Sequence, residues 1–306
     1  MNGGGGPAAS GRSIRDRLRA GEILISDGAL GTELMARGLP AGEAPETWNL
    51  SHPDVLEEIA RQYLEAGAEL IATNTFGASP MKLAAYGLDA RMEELNAGAV
   101  AAVRRAVGTG AFIFGSCGPC GRLLEPYGDA DPDRVRAGFL AQMRVLVAAG
   151  VDLIGVETMT DLREAVLAVQ AAVEATRGAI PVVATMTFER TRRGYFTIMG
   201  NDIGAAAAGL AAAGAEIIGS NCGKGIDEMI EVAREFRAVT ELPLLFQPNA
   251  GLPSIEDDRL VYRETPEVFA ERARDLVHVG ASIIGGCCGT TPDHIRLLRA
   301  KIKASA

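Results

Sequence analysis

Histidine is scarce in this 306-residue sequence, with three in all, and there is a single tryptophan within 5% aromatic residues. Chemistry that rests on a histidine base therefore has few candidates. Basic charge is not in excess either. Thirty Lys and Arg stand against 39 Asp and Glu, a formal net charge of −9, which excludes the basic face that nucleic acid or an anionic membrane surface requires. No run of ~18 apolar residues is free of charge, so no membrane span is expected. The richest stretch, residues 203–219, is mostly Ala and Gly and carries Glu216. The opening "MNGGGGPAASGR" lacks a basic region followed by an apolar core, so residues 1–12 are read as a flexible Gly-rich tail and not as a signal peptide. Without a secretion signal, five cysteines, an odd count, are expected to be reduced thiols in a cytoplasmic protein, open to metal binding or catalysis.

What is present is a repeated pattern. Eight short apolar runs recur at 23–28, 68–77, 111–118, 151–158, 181–188, 215–223, 243–251 and 281–289. Each is continuous over four to six residues, as expected of a strand buried on both faces of a parallel sheet. Segments of helical spacing separate them, clearest at 54–67, 161–175 and 266–280, with start signals at Pro132-Asp133 and Thr291-Pro292. Eightfold strand–helix alternation predicts a (β/α)8 TIM barrel. No interior linker interrupts it, so residues 13–306 are expected to form one domain. An open doubly wound sheet is disfavoured because "DGALGTE" follows the first strand where that fold would carry G-x-G-x-x-G.

A barrel of this kind collects its functional groups at the C-terminal ends of its strands. Polar residues gather there: Asp27, Asn74 and Thr75, Ser116 and Cys117, Glu157 and Thr158, Thr185 and Thr187, Asn221 and Cys222, Asn249, then Cys287 and Cys288. His52, His278 and His294 stand elsewhere and suit structural or surface roles. Cys222 ends the sixth run and Cys287-Cys288 the eighth. Alternate barrel strands share a layer of inward side chains, so the three sulfurs can converge at the mouth. Three thiolates suit one Zn²⁺ and leave its fourth position open for chemistry, whereas small buried core residues are the plainer reading. The tetrapeptide Cys117-Gly118-Pro119-Cys120 has the form of a redox motif. Pro126, Gly128 and Pro132 follow it and prevent the long helix that such chemistry uses, so lining of the pocket or incidental oxidation sensitivity is the expectation.

Several segments together resemble the homocysteine S-methyltransferase family, over residues 14 to 303: "DGALGTEL", "TNTFGAS", "ETMTDLREA", "GSNCGKG", "PNAGLP" and "GGCCGTTPDHI". The resemblance implies that Cys222, Cys287 and Cys288 hold one catalytic zinc per chain, which activates the thiol of homocysteine as a methyl acceptor to give methionine. It implies that Asp27 and Glu157 hold the substrate ammonium and that backbone N–H groups near Gly28 and Ala29 hold its carboxylate. Asn249 is a candidate stand-in metal ligand when substrate is absent, and Thr75 a candidate pocket residue. "QPNAGLP" and "VYRETPEVFA" look closer to the homocysteine-binding module of the cobalamin-dependent methionine synthases. The sequence ends at Ala306 without folate- or cobalamin-binding modules, so a methylcorrinoid on a separate protein is the expected donor. The alternatives are betaine or S-methylmethionine as a free donor, or a zinc-thiolate protein that binds thiols or senses redox state without turnover.

Overall fold

The structure, a computed structural model, describes residues 11–256 and 259–303. Residues 1–10 of the expected tail lie outside the described residues. Eight parallel strands form one sheet: β1 (Leu24–Ile25), β2 (Leu70–Ala72), β3 (Phe112–Cys117), β4 (Leu153–Met159), β5 (Val182–Met186), β6 (Ile217–Cys222), β7 (Leu244–Pro248) and β8 (Ile283–Ile284). Each falls within one of the eight apolar runs, except that β4 extends one residue past its run, to Met159. They pair in the order β1-β8-β7-β6-β5-β4-β3-β2. The seam between β1 and β2 is closed by a parallel bridge from Ser26 to Leu70 and by hydrogen bonds from Glu69 N to Ile25 O (2.7 Å) and Asp27 N to Leu70 O (3.0 Å). The sheet is thus a (β/α)8 barrel.

The continuous apolar runs are explained by burial on both faces. Leu24, Leu70 and Ile283 point into the barrel, where each strand contributes to an inner cluster that Ile14 of the helix Ile14–Arg19 joins. Their neighbours Ile25, Ile71 and Ile284 point outward into the larger core under the helices. A helix follows each strand, from Pro53–Ala66 after β1 to Pro292–Lys303 after β8. Four of these helices end at a left-handed glycine (Gly67, Gly150, Gly214, Gly280), and the next strand begins within a few residues. That conformation carries no steric penalty only for glycine, so these residues set where each helix stops.

Two details add to the sequence expectation. The helix Pro132–Ala149 begins at the expected Pro132-Asp133, and Asp131 before it adds the cap, its carboxylate accepting from Asp133 N at 2.8 Å. Two antiparallel hairpins, Glu189–Thr191 with Gly194–Phe196 and Ser254–Glu256 with Arg259–Val261, extend the loops after β5 and β7. Both rise from the C-terminal face, where the site lies.

Candidate metal centre and substrate cavity

Two departures from regular strand geometry build the thiol cluster. At the end of β6, Cys222 has φ +67° and Gly223 φ +82°, which turns the Cys222 side chain out of the pleat and into the mouth. After β8 the chain crosses the mouth as Gly285-Gly286-Cys287-Cys288. Gly285 N donates to Phe246 O (3.1 Å), Gly286 N to Asp27 O (2.9 Å) and Cys287 N to Pro248 O (2.8 Å). A Cβ on Gly286 would stand 2.3 Å from Thr290 Oγ1, so glycine alone admits this close passage. Thr290 is held in turn: its hydroxyl donates to Cys287 O at 2.7 Å and accepts from Ala29 N at 3.1 Å.

The result is that the sulfurs of Cys222, Cys287 and Cys288 all lie within 4.8 Å of one another. Among the described residues this is the one group of three or more His, Cys, Asp or Glu side chains so arranged. Tetrahedral coordination with Zn–S of ~2.3 Å places sulfurs ~3.8 Å apart, so closing the triad on an ion requires shifts of under ~1 Å. The chemistry of the set also fits zinc. Hydrogen bonds from the other two thiols draw Cys222 far below the ordinary thiol range, and the same interaction pushes Cys287 up. Three thiols this close, one of them drawn toward thiolate by the other two, offer a soft cation a matching ligand set.

The cluster forms one wall of a cavity of about 300 Å³, also lined by Asp27, Gly28, Ala29, Glu157 and Asn221. That is at the small end for a ligand pocket and suits an amino acid. Asp27 is buried; Ala72 N donates to its Oδ2 at 2.7 Å and the Ser26 hydroxyl to its Oδ1 at 3.2 Å. Glu157 is half-buried and accepts a short hydrogen bond from the Ser116 hydroxyl. Burial raises both carboxyls to about 7, and the charge of Glu157 adds to the rise at Asp27. Two acids held this far above their ordinary range, with no described cation offsetting either rise, are complementary to a ligand that brings one. The Ala29 N–H is already committed to Thr290, which leaves the neighbourhood of Gly28 as the freer backbone for a carboxylate.

Thr75 and the pair Cys117 and Cys120 do not stand where a pocket-lining role places them, and Asn249 stands beside the thiols. Thr75 is fully buried behind the wall, where its hydroxyl donates to Ser116 O (2.7 Å) and meets the Thr73 hydroxyl (2.7 Å); Thr73, Asn74 and Phe76 line the cavity in its place. The chain turns directly after β2, with Thr75 N bonded to Thr73 O at 2.9 Å, so the alternation of the strand does not continue to residue 75. Asn249 does not line the cavity. It donates to Gly223 O at 2.6 Å and lies against Cys222, with its side-chain oxygen buried and unpartnered, a position compatible with a stand-in ligand beside the thiols. Cys117 and Cys120 do not line it either. The Cys117 thiol donates to Gln142 Oε1 at 3.1 Å, Cys120 N to Glu164 Oε1 at 2.6 Å, and burial pushes the Cys120 thiol up to about 12 and Cys117 higher. Burial of this kind disfavours the thiolate form on which thiol redox chemistry depends. Gln247, which reaches Asp27 through Ser26 (3.2 Å), lines the cavity and was not singled out from the sequence; a polar side chain inside an apolar strand run is the signal that marks it.

Fold and site together define a (β/α)8 barrel with a three-thiol cluster and a paired-carboxylate cavity at its C-terminal mouth. The chain belongs to the homocysteine S-methyltransferase family, whose sequence model matches residues 24–302. It is 34% identical over 299 residues to the methionine synthase of Mycobacterium leprae (strain TN), covering 92% of this chain and 24% of that protein. The methionine synthase of Mycobacterium tuberculosis (strain ATCC 25618 / H37Rv) is 34% identical over 296 residues, with the same coverage. The chain thus spans about a quarter of the length of these curated relatives. Among solved structures, the metallated form of the homocysteine methyltransferase MmuM from Escherichia coli is similar, with 26% identity and a TM-score of 0.76 over 94% of this chain and 99% of that one.

Proposed function

We propose that this chain is a zinc-dependent S-methyltransferase that methylates homocysteine to methionine, with residues 13–306 as its homocysteine-binding domain. The observation that carries the reading is the convergence of three sulfurs with two carboxyls raised by desolvation, Asp27 buried and Glu157 half-buried, in one amino-acid-sized cavity. Zinc on Cys222, Cys287 and Cys288 would lower the pKa of a thiol bound beside it, from its usual ~8.5, and so keep that sulfur nucleophilic at neutral pH. Asp27 and Glu157 bind the substrate ammonium, which draws both carboxyls into their ionised form. The backbone around Gly28 and Ala29 orients the substrate carboxylate. In the transfer, the S–CH3 bond forms as the bond from methyl to donor breaks, and that electron pair leaves with the donor. The thiol proton passes to solvent, so no side-chain base is required.

A methylcorrinoid carried by a separate protein is the donor this reading favours. The rim carries exposed apolar side chains on the loops that follow β3, β5 and β7: Leu123, Tyr127, Ile198, Leu252, Ile255 and Leu260. Apolar side chains exposed on the loops of the face that holds the cavity suit a macromolecular carrier. A free cationic donor such as betaine or S-methylmethionine is favoured instead by Phe76 and Tyr86, which line the mouth near Glu46 and offer aromatic faces to a positive charge. No described helix is long and apolar enough to cross a membrane. The test is methionine formation by zinc-loaded protein with homocysteine and, in turn, methylcobalamin, betaine and S-methylmethionine. Catalytic turnover with one of them supports the assignment. Stoichiometric thiol binding without turnover in every arm refutes it in favour of a binding or sensing protein.

A further inference from the structure

We infer that Asn221 is a positioning residue that joins the thiol cluster to Glu157, an inference that rests on the reading of Cys222, Cys287 and Cys288 as a zinc site. β4 pairs regularly with β5 as far as Val156 and resumes at Met159, so Glu157 and Thr158 form a break in the ladder. Breaks of this kind beside a site re-aim a side chain, and the one re-aimed here is Glu157, which lines the cavity. Thr158 has φ +60° as a consequence. A β-branched residue adopts that conformation only where its surroundings hold it there.

Asn221 supplies that hold. The Thr158 N–H donates to Asn221 Oδ1 at 2.8 Å, and the Thr185 hydroxyl donates to the same oxygen at 2.8 Å. A backbone N–H can only donate, which fixes the orientation of the carboxamide. Its amino group therefore faces the other way, donating to Thr158 Oγ1 at 2.7 Å and toward Cys287 Sγ at 3.9 Å. The Thr187 hydroxyl secures the Asn221 carbonyl at 3.0 Å, directly before Cys222. One buried side chain thus grips the turn behind Glu157 and points an N–H at one sulfur, while its own main-chain carbonyl, held by Thr187, precedes the residue that carries another. An N–H directed at a thiolate stabilises its charge, and groups that orient metal ligands act on affinity without touching the ion.

The test compares Asn221→Asp, nearly isosteric, with Asn221→Ala. Aspartate keeps an acceptor for Thr158 N–H and Thr185 but turns a carboxylate oxygen toward the sulfur; alanine removes both functions. Four quantities are read: zinc affinity by chelator competition, sulfur-to-metal charge-transfer absorption of the cobalt(II)-substituted protein, the preference for homocysteine over 4-mercaptobutyrate, and the thermal midpoint. Asn221→Asp is expected to lower zinc affinity by about tenfold or more and to shift the charge-transfer band while keeping the homocysteine preference. Asn221→Ala is expected to change all three. Loss of thermal stability alone, with metal affinity, spectrum and preference as in the parent, overturns the inference. A parent protein that takes up neither zinc nor cobalt overturns the reading of the thiol cluster and this inference with it. A parent that binds metal beside indistinguishable variants overturns only the inference.

Discussion

Replacing Asp27 by Asn tests the substrate reading most directly, because the geometry sets both the sign and the size of the effect. Asp27 and Glu157 line the same cavity as the three thiols, and burial lifts both carboxyls to about 7. A charge-assisted hydrogen bond to an ammonium is worth roughly 1.5–3 kcal/mol, so Asp27→Asn should weaken homocysteine binding about tenfold to hundredfold. The comparator is 4-mercaptobutyrate, which keeps thiol and carboxylate but lacks the amino group; its affinity should barely change. The dependence on pH follows from the same groups. A carboxyl with a pKa of about 7 is ionised roughly 10% of the time at pH 6 and roughly 90% at pH 8. Homocysteine affinity, relative to 4-mercaptobutyrate, should therefore climb between pH 6 and 8 and flatten above. Stability of the substrate-free protein runs the opposite way. The native state holds protons that the unfolded chain releases near pH 4, so this contribution to stability falls as pH rises and is gone above about 7. Asp27→Asn should consequently be more stable than the parent at pH 8, and the gap should shrink as pH falls toward 4. Isothermal titration with both thiols at three pH values, with thermal melts alongside, measures all of this. Equal losses for both thiols, or a homocysteine preference independent of pH, would refute the argument.

Other expectations concern the metal and the loops that hold it. Protein isolated under reducing conditions should contain about one zinc per chain by elemental analysis, and Cys222→Ser, Cys287→Ser and Cys288→Ser should each abolish tight binding; full occupancy in any one removes that residue from the set. Cys117→Ser combined with Cys120→Ser should keep zinc and most of the methyl transfer, since both side chains lie outside the cavity, and complete loss of zinc would contradict this division of the cysteines. Gly286→Ala places a methyl 2.3 Å from Thr290 Oγ1 and should lose ~1–3 kcal/mol in denaturant titration, with part recovered in the double variant Gly286→Ala, Thr290→Ala; no recovery would show that the clash lies elsewhere.

Much of the architecture was legible because parallel barrel strands are buried on both faces and must be apolar throughout. Each of the eight runs holds a strand, and glycines such as Gly67 and Gly280 mark helix ends by a backbone conformation other residues resist. The hairpins after β5 and β7 were not legible. Short exposed strands such as Glu189–Thr191 bury nothing and so leave no hydrophobic period to detect.

The site divides in the same way. By itself the sequence determined which groups could do the chemistry: three thiols, Asp27 and Glu157, each at the C-terminal end of a strand run. Strand periodicity is local, and it places a residue at the mouth without saying which way it points there. Only the tertiary structure decided that Cys222 turns inward through φ +67°, that a break in β4 delivers Glu157, and that Thr75, past a tight turn, falls behind the wall. These are matters of register across the closed barrel, where a shift of one residue carries a side chain to the opposite face. They depend on contacts between strands far apart in the chain, such as Asn221 with Thr158 and Gly286 with Asp27, which no local pattern encodes.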